Sequence, residues 1–234
     1  MPADDFVFAP APQASLAVQG TDARFPMRRI FCVGRNYEAH AREMGKDPTR
    51  EAPFFFTKPA DAALDTPCTI PYPPQTEDLH HEIELVIAIG KGGRNIAEAD
   101  VMDHVWGASV GIDLTRRDLQ AEAKKAGRPW DWGKAFDNSA PIAALKPIAD
   151  VPSVEQGRIW LAVNGEVRQD ADLADLIWSV REHVAILSQS MALAPGDIIM
   201  TGTPAGVAAL VEGDVVTGGV DGIATLEVTI GPRA

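Results

Sequence analysis

His80-His81-Glu82-Ile83-Glu84-Leu85-Val86-Ile87-Ala88-Ile89 is the stretch on which the fold turns. Its isoleucines and valine, stopped by Gly90-Lys91-Gly92-Gly93, predict a strand over His81–Ile89. Strand side chains alternate, so Glu82 and Glu84 share one face while Ile83, Leu85, Ile87 and Ile89 share the other. Two carboxylates that close repel. Either water solvates them on a surface strand or a divalent cation holds them together. A third acid ends another apolar strand, Val105–Leu114, in Val110-Gly111-Ile112-Asp113. Asp113 would complete a three-carboxylate site; its plainer role is to cap the helix predicted over Thr115–Ala126, which Thr115 and Asp118 can box and Gly127 can end. All-oxygen ligation favours Mg²⁺ or Mn²⁺. His80 lies on the face of the glutamates, where one ordinary hydrogen bond is its simpler use.

Upstream, Arg29–Val33 is a short apolar strand, turned by Gly34-Arg35-Asn36 into a helix over Tyr37–Met44. His40 and Glu43 fall three apart on that helix, so the carboxylate can orient the imidazole and leave its second nitrogen as a base near neutral pH. Such pairs also decorate plain surface helices. Downstream, Arg116 to Lys134 carries Arg116, Arg117, Lys124, Lys125, Arg128 and Lys134 against Asp118, Glu122 and Asp131, a local basic excess in a chain of net charge −12. Three carboxylates and one dication leave a negative site, so these bases supply the charge that an anionic substrate needs. Gly107-Ala108-Ser109-Val110-Gly111 spells the nucleophile-elbow pattern, but the strand runs on through Ile112 where the chemistry needs a sharp turn. The glycines at 90, 92 and 93 lack dinucleotide-binding spacing.

Residues 1–28 are expected to form an arm with at most one strand, Phe6–Phe8, and 29–234 a single catalytic domain. Pro53–Thr57 reads as a strand, Ala97–His104 as a short helix, and Ile159–Val163, Asn164-Gly165, Glu166–Gln169 as a type I′ hairpin. Asp175–Gln189 reads as an amphipathic helix, followed by strands at Asp197–Thr201, Asp214–Thr217 and Ile223–Ile230. Strands outnumber helices without βαβ alternation, which predicts an α+β, mainly β domain. The acidic balance argues against nucleic acid or anionic membrane as partner. No apolar run approaches the length needed to cross a bilayer, the N-terminal residues resemble no secretory signal, and two cysteines build no disulfide framework, so a cytoplasmic location is expected.

Six ordered motifs together resemble the fumarylacetoacetate hydrolase family: Phe31-Cys32-Val33-Gly34-Arg35-Asn36-Tyr37 with His40 and Glu43; His81 to Leu85; Gly111 to Asp118; Lys134-Ala135-Phe136-Asp137; Gly196-Asp197-Ile198-Ile199; and Thr201-Gly202-Thr203-Pro204. The resemblance implies a mixed β-sandwich roll, a homodimer, and Mg²⁺ or Mn²⁺ at Glu82, Glu84 and Asp113. It also implies a water-activating His40–Glu43 pair and an active-site cation at Lys134. Asp113 to Gln120 and Gly127-Arg128-Pro129-Trp130 look most like the members that hydrolyse the 2,4-diketo acid fumarylpyruvate to fumarate and pyruvate in gentisate-type aromatic catabolism. Acylpyruvate hydrolases, oxaloacetate decarboxylases and isomerase/decarboxylases share most of the motifs and stand as alternatives. Arg35, Arg116, Arg117 and Thr203 are candidates for gripping substrate carboxylates, and Gln120 for stabilising an oxyanion.

Overall fold

The computed structural model describes residues 6–38 and 51–233. Its frame is an eight-stranded mixed sheet with the path β4 (Phe54–Lys58), β3 (Arg29–Gly34), β15 (Asp197–Met200), β8 (Ile83–Ile89), β9 (Val105–Ile112), β11 (Ala140–Ile142) and β5 (Ala63–Asp65), with β12 (Lys146–Pro147) also paired to β9. A five-stranded sheet packs on one face, in the order β14 (Glu166–Asp172), β13 (Arg158–Val163), β17 (Val215–Val220), β18 (Ala224–Arg233) and β6 (Cys68–Tyr72). A small three-stranded sheet joins β10 (Thr115–Arg116), β7 (Leu79–His80) and β16 (Ala209–Leu210). The expected mainly β, mixed sandwich architecture is therefore present.

The decisive strand is buried on both faces. Ile83, Leu85, Ile87 and Ile89 pack with Ile159, Leu161 and Val228 of the five-stranded sheet, whereas Val86 and Ala88 face a second core containing Leu16, Phe25 and Met27. That second core is closed by a hairpin of β1 (Ser15–Val18) and β2 (Thr21–Pro26). The N-terminal segment thus carries two strands, and the strand expected at Phe6–Phe8 does not form. Those residues lie exposed. Only Phe25 of β2 is buried, so this strand carries no apolar period that the sequence could show.

Local signals fare unevenly. Asn164 and Gly165 adopt φ +53° and +83° and turn the expected hairpin. The helix α1 (Arg117–Ala126) ends on Gly127 at φ +63°, as expected, but it starts two residues late. Thr115 does not cap it: Thr115 and Arg116 pair with His80 and Leu79, and the Asp118 carboxylate instead accepts from Thr76 Oγ1 and the amides of Glu77 and Leu119. The four-residue helix α2 (Asp131–Lys134) follows. The late helix α3 (Val180–Ser190) begins at a capping box made by Ser179 and Glu182, five residues beyond the expected start. The helix expected from Tyr37 lies, from residue 39 on, outside the described residues.

Candidate active site

The strand polarity places the site. The carboxyl ends of β3, β9 and β15 and the amino ends of β4 and β8 meet at one edge of the large sheet, because β3 runs parallel to β15 while β15–β8, β8–β9 and β3–β4 are antiparallel. Strand β8 begins only at Ile83. His81 and Glu82 bridge from the small sheet to the large one, and the Asp113 amide donates to the Glu82 carbonyl at 2.8 Å, pinning the two acidic residues side by side. Glu84 is paired in register with Gly111, so no opposing side chain crowds it.

Ligand oxygens of Glu82, Glu84 and Asp113 lie within 4.8 Å of one another, and all three residues are buried. Lys134 Nζ donates to Glu82 Oε2 at 2.8 Å and to Asp113 Oδ2 at 2.6 Å. Arg117 pairs with Glu82 Oε1. Lys58 Nζ sits 2.8 Å from Asp113 Oδ1 and also donates to the carbonyls of Leu114 and Lys134. Both Asp113 carboxylate oxygens therefore face an ammonium, Oδ1 that of Lys58 and Oδ2 that of Lys134. Glu84 Oε2 accepts from the Gly202 amide at 2.8 Å. Gly202 has φ +97°, and a Cβ there would lie 2.7 Å from Asn36 Cβ, so only glycine presents this amide without strain.

Burial, then repulsion from Asp113 and Glu82, pushes the Glu84 carboxyl well above its ordinary range. Burial alone would depress the Lys134 ammonium, but Asp113 and Glu82 outweigh it and carry the group above its usual value. Three acids thus face three bases. A dication removes the repulsion within the triad and leaves two positive charges in excess, the complement of a dicarboxylate. The donor set is oxygen throughout, which fits Mg²⁺ or Mn²⁺.

A cavity opens over the triad, reached by Arg35, Phe54, Phe56, Arg117, Gln120, Lys124, Trp130, Lys134 and Thr203. Gln120 Oε1 accepts from Arg117 at 2.6 Å. Thr203 Oγ1 accepts from Gln169 Nε2, and Gln169 Oε1 accepts from the Ile83 amide and from His81 Nδ1, so Gln169 ties the Thr201–Pro204 turn to the start of β8. Burial pushes the His81 imidazole down to about 4. Arg35, at φ +57°, stacks over Phe54 with its guanidinium carbon 5.3 Å from the ring centroid.

Arg116 is not brought into this cavity: its guanidinium stacks 4.3 Å from the Phe136 centroid, outside the lining. The backbone explains the split: Arg116 ends the short extended strand β10 while Arg117 opens helix α1, so the two neighbouring side chains leave in different directions. His80 pairs with Asp78 at 2.8 Å and accepts from Arg117 Nε at 3.4 Å, supporting Arg117 from behind. Ser109 is fully buried in mid-strand and donates to the Ala143 carbonyl, so no nucleophile elbow exists. His40 and Glu43 lie outside the described residues. Sequence reasoning missed Lys58 as a site residue; the available signal was a lysine closing the aromatic run Phe54-Phe55-Phe56-Thr57, where a solvated end was the ordinary expectation.

The family described as "Fumarylacetoacetate (FAA) hydrolase C-terminal" matches residues 29–231. This chain belongs to the fumarylacetoacetate hydrolase family. It is 45% identical over 186 residues to the fumarylpyruvate hydrolase of Ralstonia sp, covering 80% of this chain and 96% of that one. It is 40% identical over 200 residues to the mitochondrial oxaloacetate tautomerase FAHD1 of Bos taurus, covering 86% and 90%. The solved structure of fumarylpyruvate hydrolase from Pseudomonas aeruginosa in complex with Mn²⁺ and pyruvate superposes with a TM-score of 0.95 at 50% identity, covering 97% of this chain and 100% of that one.

Proposed function

We propose that this chain is a metal-dependent hydrolase of a 2,4-diketo acid, converting fumarylpyruvate and water to fumarate and pyruvate, with Mg²⁺ or Mn²⁺ held by Glu82, Glu84 and Asp113. The observation that carries the reading is the buried triad of carboxylates, with oxygens within 4.8 Å of one another, on a floor of three cations. The fumarylpyruvate hydrolase relatives, one solved with Mn²⁺ and pyruvate, support it.

When bound, the dication supplies Lewis-acid stabilisation of negative charge on substrate oxygens. The protein's own residues do the rest. Arg117 and Lys134 hold Glu82 and Asp113 in place and offer positive charge to the pyruvyl end. His40, oriented by Glu43, takes a proton from water, whose oxygen bonds to C4. The C3–C4 bond then breaks, C3 takes up a proton to become the pyruvate methyl group, and the acyl half leaves as fumarate. Gln120 and Thr203 are placed in the wall to hydrogen-bond substrate oxygens, and Arg35 lies over the same cavity. Lys134, buried against two carboxylates, is the fixed cation facing charge that develops on the departing pyruvyl group.

The test is loss of the diketo-acid ultraviolet band with equimolar fumarate and pyruvate in Mg²⁺ or Mn²⁺. Full activity after exhaustive chelation sinks the reading. A second reading, keto–enol tautomerisation of oxaloacetate at the same centre, is supported by the tautomerase relative; product analysis separates the two, since only hydrolysis yields two acids. No helix among the described residues is long and apolar enough to cross a membrane. The reading places the enzyme in the cytoplasm, in aromatic-acid breakdown, as a homodimer. The exposed Trp132 and Val211 offer apolar surface for self-association, and light scattering at micromolar concentration checks it.

A further inference from the structure

We propose that Gln169 is a positioning residue that commits the Thr203 hydroxyl to donating toward the substrate; this rests on the diketo-acid reading above. Strand β14 lies at the edge of the five-stranded sheet, and Gln169 is its one buried residue, where an apolar side chain would be the ordinary choice. Its amide is fully engaged. Oε1 accepts from the Ile83 amide at 3.1 Å and lies 2.9 Å from His81 Nδ1, while Nε2 donates to Thr203 Oγ1 and to the Pro204 carbonyl, both at 2.8 Å.

Two of these four partners have fixed polarity. A main-chain N–H only donates and a main-chain carbonyl only accepts, so Ile83 and Pro204 together decide which end of the amide is oxygen and which is nitrogen. The side-chain partners must follow. His81 carries its proton on Nδ1, and Thr203 Oγ1 receives a proton from Nε2. The proton of the Thr203 hydroxyl therefore points away from Gln169, and no acceptor among the described residues takes it up. Thr203 lines the cavity beside Glu82, Glu84 and Asp113, so a carboxylate or keto oxygen placed there meets a donor. A hydroxyl left to itself offers either polarity, since it both donates and accepts. Gln169 removes the second option, and the wall thereby favours acceptor-only oxygens over groups that must donate.

The experiment is calorimetric titration of the Mg²⁺-loaded protein with pyruvate, across wild type, Gln169→Glu, Thr203→Val and the double variant. Gln169→Glu keeps the shape but holds at most one proton for two acceptors. The Pro204 carbonyl, which cannot donate, claims that proton, and the Thr203 hydroxyl turns to donate to the new side chain. Each single change should weaken pyruvate binding at least about tenfold, the scale of one hydrogen bond to a charged group, and the double variant should bind no worse than Thr203→Val. Thr203→Ser, which retains the hydroxyl, should keep most of the affinity. A purely structural Gln169 would loosen the whole turn and add its own loss to that of Thr203→Val. Additive losses therefore overturn the proposal, as does a wild type that does not bind pyruvate. Should Gln169→Glu fail to fold, the wild type still decides: nitrogen–proton correlation spectroscopy should find the His81 proton on Nδ1, and a proton on Nε2 alone overturns the assignment of the amide. Coupling between positions 169 and 203 with fumarylpyruvate left intact keeps the relay and sinks the hydrolase reading.

Discussion

Two regions of this protein use the same chemistry to opposite ends. On the five-stranded sheet, Arg158 grips Asp170 with two hydrogen bonds at 2.7 and 2.9 Å, both side chains about half exposed. At the edge of the large sheet, Lys58, Lys134 and Arg117 grip Asp113 and Glu82 at similar distances with almost no exposure. Water decides what each arrangement is worth. A solvated pair gains little because its ions were well hydrated when apart. Buried charges were stripped of water on folding, so each depends on its partners and losing one strands the others. The large sheet accepts that dependence where the proposed chemistry needs it.

The contrast breaks or sharpens by experiment. Glu84→Gln keeps an acceptor for the Gly202 amide but removes one charge of the triad; Mg²⁺ affinity should fall at least about 100-fold by calorimetry. The same change should raise the metal-free melting midpoint, because repulsion among the three acids is relieved. A lowered midpoint would mean that Glu84 is structurally supported as an anion. Lys134→Met should cost about 3–5 kcal/mol in metal-free denaturation, as expected when one partner of a buried ion pair is removed. Millimolar Mg²⁺ should shrink that deficit, and a deficit indifferent to Mg²⁺ would separate the lysine from the metal ligands.

His183 extends the comparison to a buried base without a counter-ion. Its Nδ1 donates weakly to the Trp178 carbonyl at 3.4 Å, its Nε2 has no partner, and burial pushes its imidazole down to about 4. The unfolded chain protonates this histidine near 6.5, so between those values the unfolded state holds more protons. Its contribution is complete above about pH 6.5 and is lost as pH falls toward 4, about 3 kcal/mol in all. The stability gap between wild type and His183→Leu should track that window. A gap independent of pH would show the imidazole already charged inside. The smallest effect belongs to Arg158→Ala, for which the denaturation midpoint should not move measurably.

Much of the fold was readable from local patterns because it depended on residues near in sequence: the Asn164-Gly165 turn, the Gly127 helix stop and the apolar run of β8. The convergence of Glu82, Glu84 and Asp113 was readable for a related reason, since each acid sits at the end of an apolar strand. Its detail was not. Glu82 belongs to a bridge between two sheets and not to the strand itself, a distinction set by the distant pairing of Leu79 and His80 with Thr115, Arg116, Ala209 and Leu210. Lys58 and Gln169 were invisible because their roles arise only when β4 and β14 are carried to the same edge, 76 residues from Lys134 in one case and 86 from Ile83 in the other. The different placement of Arg116 and Arg117 was not readable, because the boundary between β10 and α1 is set by the pairing of Thr115 and Arg116 with the distant His80 and Leu79.

Gly202 leaves a lasting mark on how this scaffold can diversify. Its amide is delivered by main chain in a left-handed turn packed on Asn36, so no rotamer change withdraws it from Glu84. One oxygen of that acid thereby keeps a main-chain partner whatever side chains surround it, and any side chain introduced at position 202 would meet Asn36 first.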